Sequence, residues 1–435
     1  MSIENRIALL AALFATGAAA QTAAIDGLYP EMDKLYLDLH KTPELSRHEV
    51  NTAAKMAERL RKLGFEVATG VGGTGVVGVL RNGAGPTVAL RTELDALPVE
   101  EKTGLPYAST VTAVDDAGKQ VHVMHACGHD VHMTSWVAAA TLLSQSKDRW
   151  SGTLVMVGQP AEETVWGARS MIDAGLWKRF PKADFVLAIH DAADLPAGKV
   201  EVVPGYAAAN VDSVDITIFG KGGHGAHPEE TVDPIVLAAR TVLALQTIVS
   251  RENSPRDPAV ITVGSIAGGT RYNIIPDEVK LQLTVRSYKP EVREHMMKAI
   301  SRIVKGEAAS AGAPKEPLIK VSESASSMYN DPKLSERIAG ALSRSLGKEN
   351  VVEGEPVMTA EDFGELGKAA GAPSVQIWVG AVEPKRYAAA KAAGERLPGL
   401  HSSLFAPDRE RTLRTGAATL TAAALEVLGK PQKQN

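Results

Sequence analysis

The sequence predicts an α/β protein in which a larger α/β domain with a mixed sheet is interrupted by a smaller inserted α+β domain. Apolar strand-like runs alternate with amphipathic helices over the first half of the chain, and near Asn210 the order changes to strand, helix, strand, strand, helix. At 435 residues the chain also exceeds what one hydrophobic core usually supports. We therefore expect residues 26–209 and 325–430 to form the larger domain and residues 210–324 to form the insertion.

Local signals place the elements of the larger domain. Amphipathic periodicity predicts its helices, and Gly64 marks the end of the first of them. Short apolar runs bounded by turn residues predict its strands. The predicted helices are Asn51–Leu63, Val131–Leu143, Leu334–Leu346 and Arg411–Leu428, and the predicted strands are Val76–Leu80, Thr87–Leu90, Thr153–Val157, Phe185–Ile189 and Ser374–Val379.

The insertion begins with apolar residues at alternate positions, which predict a strand with one buried face. These residues are Val211, Val214, Ile216 and Ile218. The elements expected after them are a helix over Pro234–Val249, strands over Ala259–Ile266 and Val279–Tyr288, a helix over Val292–Ala309, and a return to the larger domain near Ile319–Met328.

Composition indicates a soluble globular protein. Apolar residues make up 44% of the chain and charged residues 23%, and the net charge of −4 comes without a long single-sign run, which argues against nucleic acid as a partner.

Residues 1–20 end in Ala18-Ala19-Ala20 after an apolar stretch, which is typical of a secretory signal peptide cleaved after Ala20. An amphipathic N-terminal helix is the alternative. No later run is expected to reach the ~18 apolar residues that span a bilayer. We expect a periplasmic or secreted protein that does not bind the membrane.

Three apolar runs lead into polar residues that can serve a functional site. The first leads to Glu93 and Asp95, the second to Glu162 and Glu163, and the third to His190. Ligands of open α/β sheets gather at the carboxyl ends of the strands, so we expect the three segments to meet at one rim.

Cys127, the only cysteine, lies two residues from His129 in a glycine-containing turn before a helix. A single cysteine excludes an internal disulfide, and a thiolate with imidazoles and carboxylates is a ligand set for a divalent ion such as zinc. A buried structural thiol is the alternative. His122, His125 and His132 crowd the same segment, and we expect them to lie at the surface or behind the ligands.

Glu162 and Glu163 are adjacent on a segment predicted to be extended, so one carboxylate can bind metal while the other faces substrate. His190 is followed by Asp191 and Asp194, which predict a polar turn after the strand. His401, in Gly399-Leu400-His401-Ser402-Ser403, carries no local signal of its own.

The segment from Gly70 to Gly75 matches the glycine spacing of a dinucleotide-binding fingerprint. That fingerprint requires a helix directly after the glycines, whereas Val76–Leu80 is predicted as a strand. We expect a hairpin-like turn there.

The chain resembles the amidohydrolase group that includes hippurate hydrolases, N-acyl-amino-acid amidohydrolases and indole-acetyl-amino-acid hydrolases, within the aminoacylase and carboxypeptidase G type of co-catalytic metallopeptidases. The resemblance is nearly full-length and rests on motifs in order. They are Asp38-Leu39-His40 with Pro43-Glu44-Leu45-Ser46, Gly72-Gly73-Thr74-Gly75, Leu94-Asp95-Ala96-Leu97-Pro98, the Cys127 segment, Gln159-Pro160-Ala161-Glu162-Glu163, Gly222-Gly223-His224-Gly225-Ala226, Asn273-Ile274-Ile275-Pro276, Ala360-Glu361-Asp362-Phe363 and His401-Ser402.

The resemblance implies a catalytic α/β domain with an inserted lid or dimerisation domain, hence a homodimer. It assigns two divalent metal ions per subunit, zinc or manganese with cobalt also possible, to Cys127, His129, Glu163, His190 and His401, with Cys127 bridging. Glu162 is implied as the general base and Asp95 as the residue that orients the metal centre. His224 is implied as the lid histidine that stabilises the oxyanion, and Asn273 and Arg286 as lid residues that hold the substrate carboxylate.

These roles imply hydrolysis of the amide bond of N-acyl amino acids or small peptide-like conjugates. Glu93, where relatives usually carry aspartate, Ala192-Ala193-Asp194 after His190, and His227-Pro228-Glu229 depart from the group's pattern and bear on substrate choice. Three alternatives stay open: a metal-dependent exopeptidase on dipeptides, a hydrolase with Cys127 as nucleophile activated by His129, and a non-catalytic metal-binding module.

Overall fold

A computed structural model describes residues 3–430, with side chains from residue 21 onward. The predicted signal peptide, residues 1–20, lies outside the residues whose side chains are described, so cleavage after Ala20 stays a prediction. The chain forms two compact units. The first holds the described residues up to Gly205, Tyr329–Glu355 and those from Phe363 onward, and the second holds Tyr206–Met328 and Pro356–Asp362. The second unit is thus wider than the predicted insertion, 210–324, and takes in a separate short segment.

The helices are α1 (Ile3–Lys41), α2 (Val50–Lys62), α3 (His129–Gln145), α4 (Gly167–Asp173), α5 (Leu176–Arg179), α6 (Pro234–Thr247), α7 (Pro290–Ser310), α8 (Pro332–Leu346), α9 (Phe363–Ala370), α10 (Pro384–Ala393) and α11 (Arg409–Val427). The strands are β1 (Glu66–Thr69), β2 (Val76–Asn82), β3 (Thr87–Glu93), β4 (Thr112–Val114), β5 (Gln120–His122), β6 (Gly152–Gln159), β7 (Phe185–Pro196), β8 (Val200–Val202), β9 (Gly205–Ala209), β10 (Val211–Phe219), β11 (Gly223–His224), β12 (Ala259–Ala267), β13 (Ile274–Ile275), β14 (Glu278–Ser287), β15 (Leu318–Ala325), β16 (Met328–Asn330), β17 (Val351–Glu353), β18 (Val357–Ala360) and β19 (Ser374–Val382).

The first unit is built on a mixed eight-stranded sheet in the order β1-β2-β6-β3-β7-β19-β8-β17. Its four central strands, β6, β3, β7 and β19, are parallel to one another, which confirms the predicted α/β class. Buried apolar side chains of α2, α3, α8 and α11 pack into the same core as the sheet, with Trp136 and Leu90 both fully buried. Burial on both sides explains why the central strands are continuous apolar runs.

β7 is longer than predicted. The sequence predicts a polar turn after Ile189, but the strand continues to Pro196 because it stays paired with β19 as far as Val382. Asp191 is therefore a fully buried strand residue rather than part of an exposed turn.

The second unit contains a four-stranded antiparallel sheet, β12-β14-β10-β15, with α6 and α7 packed on it. The predicted alternation along β10 is present, since Val214, Ile216 and Ile218 are buried and the residues between them are partly exposed. Two short pairings complete the unit: β11 pairs with β13, and β18 pairs with β9.

Pro234–Glu252, which comprises α6 and the turn after it, is long and apolar enough to cross a membrane by length and composition alone. The expectation that no run after the leader reaches this length is therefore wrong for this segment. Its apolarity has another physical reason here, because Leu237, Ala238 and Leu245 are buried in the core of the second unit.

Candidate metal centre

The polar residues predicted at the ends of strands lie close together in the first unit. β6, β3 and β7 are adjacent and parallel, and Glu93 at the end of β3 is paired in register with Gln159 at the end of β6. Leu94 N–H donates to the Gln159 carbonyl oxygen over 2.9 Å, so the segments that follow both strands leave the sheet together. The carboxyl edge of the sheet therefore carries the candidate site.

A tight turn before α3 places Cys127 and His129 at this edge. Gly128 between them has φ 77°, in the left-handed region that favours glycine. A Cβ at this position would lie 2.4 Å from Oδ2 of Asp191, so the space also excludes a side chain. Both Cys127 and His129 are buried.

The donor atoms of the five residues expected to bind metal form a continuous series. Cys127 Sγ lies 3.6 Å from His190 Nε2 and 3.3 Å from His401 Nε2. His401 Nε2 lies 3.4 Å from Oε2 of Glu163, whose Oε1 is 3.6 Å from His129 Nε2. A thiolate, a carboxylate and three imidazoles therefore converge on one small volume, and the donor atoms of Cys127, His129 and Glu163 all lie within 4.8 Å of one another.

Backbone carbonyl groups set the tautomers of two of these histidines. His129 Nδ1 lies 2.8 Å from the carbonyl oxygen of Asp95, and His190 Nδ1 lies 2.9 Å from that of Asp191. Because a carbonyl oxygen can only accept, both Nδ1 atoms carry a proton, and Nε2 is the nitrogen that each ring turns toward the cluster. His129 Nε2 has no hydrogen-bond partner among the described residues. Histidine ligands of metals are commonly oriented in this way, so the residues fit a bound cation.

The electrostatics of the cluster favour positive charge. Burial alone would lower the pKa of His129, but its hydrogen bond with Asp95 and the nearby charges of Glu93 and Glu163 raise that pKa to about 10. A divalent cation supplies the positive charge that these carboxylates favour. Such a mixed N/O/S donor set suits zinc and its neighbours in the first transition series.

Glu162 and Glu163 lie in a turn, contrary to the extended segment expected from the sequence. Val165 N–H donates to the Glu162 carbonyl oxygen over 2.7 Å and closes this turn. Both carboxylates face His129, since Glu162 Oε2 is 3.8 Å and Glu163 Oε1 is 3.6 Å from its Nε2. The turn, rather than strand alternation, brings both side chains to the centre.

Asp95 is fully buried beside the cluster and holds two of its parts. Its Oδ2 accepts hydrogen bonds from Ser46 Oγ over 2.6 Å and from the backbone N–H of Glu163 over 3.0 Å. Burial would raise the pKa of Asp95, but His129 and Ser46 lower it overall. Asp95 is thus an ionised carboxylate that positions both His129 and Glu163.

A buried network behind the ligands contains Glu93 and His132, which the sequence placed near the site, and Arg91, which sequence reasoning did not select. His132 Nδ1 donates to Glu93 Oε2 over 3.1 Å, and its Nε2 accepts from the backbone N–H of Asp191 over 2.8 Å. The Arg91 guanidinium donates one hydrogen bond to the Glu93 carboxylate and another, over 2.9 Å, to Gln159 Oε1. The donor atoms of Glu93 and His132 lie within 4.8 Å of those of His129 and His190, which is close enough for all four to share one metal ion. Since both nitrogens of His132 already have partners, His132 supports the site from behind.

The neighbouring histidines differ from one another. His122 is exposed, whereas His125 is buried and both of its ring nitrogens lack hydrogen-bond partners in the described part of the chain. Burial lowers the pKa of His125 to about 4, so the ring is neutral.

One sequence signal could have revealed the buried network of Glu93, His132 and Arg91. It is the presence of an arginine, Arg91, within the buried strand β3.

Three further candidates lie in the second unit. His224 Nδ1 accepts the backbone N–H of Ala226 over 3.0 Å, so the proton of the neutral imidazole is on Nε2. Gly225 N–H donates to the Asn273 carbonyl oxygen over 2.9 Å, which places Asn273, the residue before β13, close to His224 at the end of β11. Arg286, half-buried on β14, donates to the Met358 carbonyl oxygen over 3.1 Å, and burial lowers its pKa.

Comparison with known proteins gives consistent results. The sequence model of peptidase family M20/M25/M40 matches residues 89–424. Thermostable carboxypeptidase 1 of Saccharolobus solfataricus is 38% identical over 90% of this chain and 94% of its own length. The hippurate hydrolase of Campylobacter jejuni is 37% identical over 78% and 85% of the two chains.

A solved structure agrees with these sequence matches. The YXEP protein of Bacillus subtilis, described as a dinuclear metal binding peptidase, superposes with a TM-score of 0.74 at 29% identity, covering 93% of this chain and all of the other. The resemblance inferred from the motifs is confirmed. The chain belongs to peptidase family M20/M25/M40.

Proposed function

We propose that this protein is a metal-dependent amidohydrolase that cleaves the amide bond of N-acyl or N-aroyl amino acids, releasing an amino acid and a carboxylic acid. The observation that carries the proposal is the convergence of five donor side chains on one volume, with the Glu162 carboxylate 3.8 Å from His129 Nε2. Relatives named hippurate hydrolase and N-acetylcysteine deacetylase support this substrate class.

Cys127, His129, Glu163, His190 and His401 would hold the two divalent cations. The Cys127 Sγ lies within 3.6 Å of two imidazole nitrogens, which supports its place in this donor set. The thiolate favours zinc, and manganese and cobalt remain alternatives. When bound, the cations lower the pKa of water and polarise the scissile carbonyl group.

The residues of the chain then perform the proton transfers. Glu162 removes a proton from the attacking water while the oxygen of that water forms a bond to the carbonyl carbon. Glu162 later gives this proton to the leaving nitrogen as the C–N bond breaks. The family resemblance assigns oxyanion stabilisation to His224, whose Nε2–H is the donor that this role needs. Asn273 and Arg286 are proposed to hold the substrate carboxylate. Arg286 suits this role because, within the described chain, its guanidinium has no carboxylate in salt-bridge range.

Exopeptidase activity on dipeptides is the second candidate, because the relative in Saccharolobus solfataricus is named a carboxypeptidase. A nucleophilic Cys127 would leave the converging Glu163, His190 and His401 without a role. A metal-binding module without catalysis would need no carboxylate such as Glu162.

A homodimer and export are proposed as well. Leu243 on α6 is 73% exposed and Ile266 on the edge strand β12 is 56% exposed, so the second unit offers apolar surface and an open sheet edge to a second copy. Light scattering of the purified protein tests this assembly. Sequencing the N-terminus of the exported protein tests cleavage after Ala20.

The deciding experiment is a hydrolysis panel of N-acetyl, N-benzoyl and indole-acetyl amino acids and dipeptides, measured before chelation, after chelation and after metal return. Activity on N-acyl amino acids that is lost with the chelator and restored by zinc or manganese supports the proposal. Chelator-resistant activity would assign the chemistry to Cys127 instead, and stoichiometric metal without turnover of any substrate would favour a binding module.

A further inference from the structure

Glu49 joins three separate segments behind the candidate metal centre. Its side chain is fully buried at the start of α2. Oε1 accepts hydrogen bonds from the backbone N–H groups of Ala161 and Arg47, each over 2.8 Å, and Oε2 accepts one from Thr74 Oγ1 over 2.5 Å. One carboxylate therefore connects the loop before α2, the glycine-rich loop before β2, and the segment that leads to Glu162.

Ala161 is the residue whose conformation needs this support. It is fully buried and has φ 49°, a left-handed value that is unfavourable for a non-glycine residue and persists only where the surroundings impose it. Glu162 and Glu163 follow directly, and the backbone N–H of Gly167 returns to the Ala161 carbonyl oxygen over 3.1 Å. The direction in which both carboxylates leave the backbone therefore depends on Ala161.

The loop that contains Glu49 also reaches the centre from its other side. We call residues 44–49 the support loop. Ser46 Oγ donates to Asp95 Oδ2 over 2.6 Å, and the backbone N–H of Ala96 donates to the Glu44 carbonyl oxygen over 2.8 Å. Asp95 Oδ2 in turn accepts the backbone N–H of Glu163. The support loop thus holds the turn of the two glutamates at two points.

The glycine-rich loop is itself held rigidly. Val71 N–H donates to the Gly75 carbonyl oxygen over 3.0 Å, and Ser170 Oγ donates to the Gly72 carbonyl oxygen over 2.9 Å. A Cβ at Gly72 would lie 2.5 Å from Met171 N, so α4 packs directly on this loop. Thr74 therefore offers Glu49 a fixed anchor.

We propose that Glu49 is a positioning residue for hydrolysis: its hydrogen bonds hold Ala161 in the left-handed conformation that directs Glu162 and Glu163 at the metal centre. This role rests on the proposed function. It also accounts for the Pro43-Glu44-Leu45-Ser46 and Gly72-Gly73-Thr74-Gly75 motifs, because Thr74 and the support loop carry this hydrogen-bond system.

The test compares Glu49→Ala and Glu49→Gln with the wild type at saturating zinc, using the best substrate of the panel. Glu49→Ala removes every acceptor, and a displacement of about 1 Å at reacting groups costs roughly 100-fold, so we expect kcat to fall about 100-fold with KM within threefold. Glu49→Gln keeps an oxygen for the two N–H groups and an amide for Thr74, so we expect kcat within about fivefold of wild type.

Glu44→Ala is the matched control in the same loop. The Glu44 carboxylate accepts the N–H groups of Asn51 and Thr52 at the start of α2 and has no bond to Ala161 or Thr74, and the variant keeps the backbone carbonyl that accepts Ala96 N–H. Its loss should therefore lower stability and reduce kcat far less than Glu49→Ala does. Hydrogen–deuterium exchange adds a readout independent of turnover. In Glu49→Ala, peptides covering residues 159–167 should exchange faster while the core peptides of β6 stay protected.

Three results would overturn the role of Glu49. They are a Glu49→Ala enzyme with kcat within threefold of wild type, a Glu49→Gln enzyme as impaired as Glu49→Ala, or unchanged exchange of residues 159–167 in Glu49→Ala. An inactive wild type that binds metal contradicts the proposed function instead, and the exchange experiment then still decides whether Glu49 holds Ala161.

Discussion

His40 lies between two buried carboxylates, and this arrangement should make the stability of the first unit depend on pH. Its Nδ1 is 2.7 Å from Asp130 Oδ2 and its Nε2 is 3.2 Å from Glu101 Oε2. Burial would lower the pKa of His40, but the hydrogen bonds and charges of both carboxylates raise it from 6.5 to about 9. The pKa values of Asp130 and Glu101 are lowered, as expected for partners of an imidazolium.

The magnitude follows from linkage between proton binding and folding. A rise from 6.5 to about 9 is about 2.5 pH units, worth about 3 kcal/mol at roughly 1.4 kcal/mol per unit. Because the folded state binds this proton more tightly, the stabilisation is fully present below pH 6.5 and is lost as the pH rises through about 9. His40→Gln removes the titrating group while keeping a hydrogen-bond donor.

Denaturant unfolding at fixed metal concentration, followed by tryptophan fluorescence from pH 6 to pH 10, measures this effect. All five tryptophans lie in the first unit, so their emission reports on it. The free energy of unfolding of wild type minus that of His40→Gln should fall by about 3 kcal/mol across this range. The exposed His48 beside Asp116 is the control, and His48→Gln should follow the wild type. A wild-type minus His40→Gln difference that changes by less than about 1 kcal/mol would refute the linkage reasoning.

Three further predictions concern the centre and the two cores. Glu162→Gln should keep its metal by elemental analysis and lose about 10²–10⁴-fold in kcat, since the base is removed and the ligands stay; turnover near wild type would remove Glu162 from the mechanism. Gly128→Ala should lose metal affinity, measured by chelator competition, because its Cβ meets Asp191 and its φ is 77°; an unchanged affinity would contradict this geometry. Leu281→Ala, in the core of the second unit, should cost about 2–5 kcal/mol in unfolding experiments, whereas the exposed Leu243→Ala should cost little in the monomer.

Much of this protein could be predicted from local sequence pattern. The parallel strands of the first unit are continuous apolar runs and those of the second alternate, so period and length were enough to assign the class. Chain order and strand ends also predicted that Glu93, Glu163 and His190 share one edge. His401 could be included only through the family resemblance, because its own segment has no distinguishing pattern.

Two local predictions were wrong for the same physical reason. The turn at Glu162 was expected to be extended, and β7 was expected to end at Ile189. In both places long-range contacts override local preference: Glu49 holds the backbone at Ala161, and β19 extends the pairing past Asp191. Such contacts join residues that are far apart in the chain and leave no periodic signal.

The sequence by itself determined the two-part α/β architecture and, apart from His401, placed the candidate donor side chains on segments that lead to one edge of the sheet, because hydrophobic period and residue chemistry are local properties. Only the tertiary structure decided which nitrogen of His129 and His190 faces the cluster, that His132 lies behind the cluster rather than at the surface, and that Glu49 bonds to the turn of the two glutamates. These features depend on hydrogen bonds between segments that are distant in the chain, which exist only once the chain has folded.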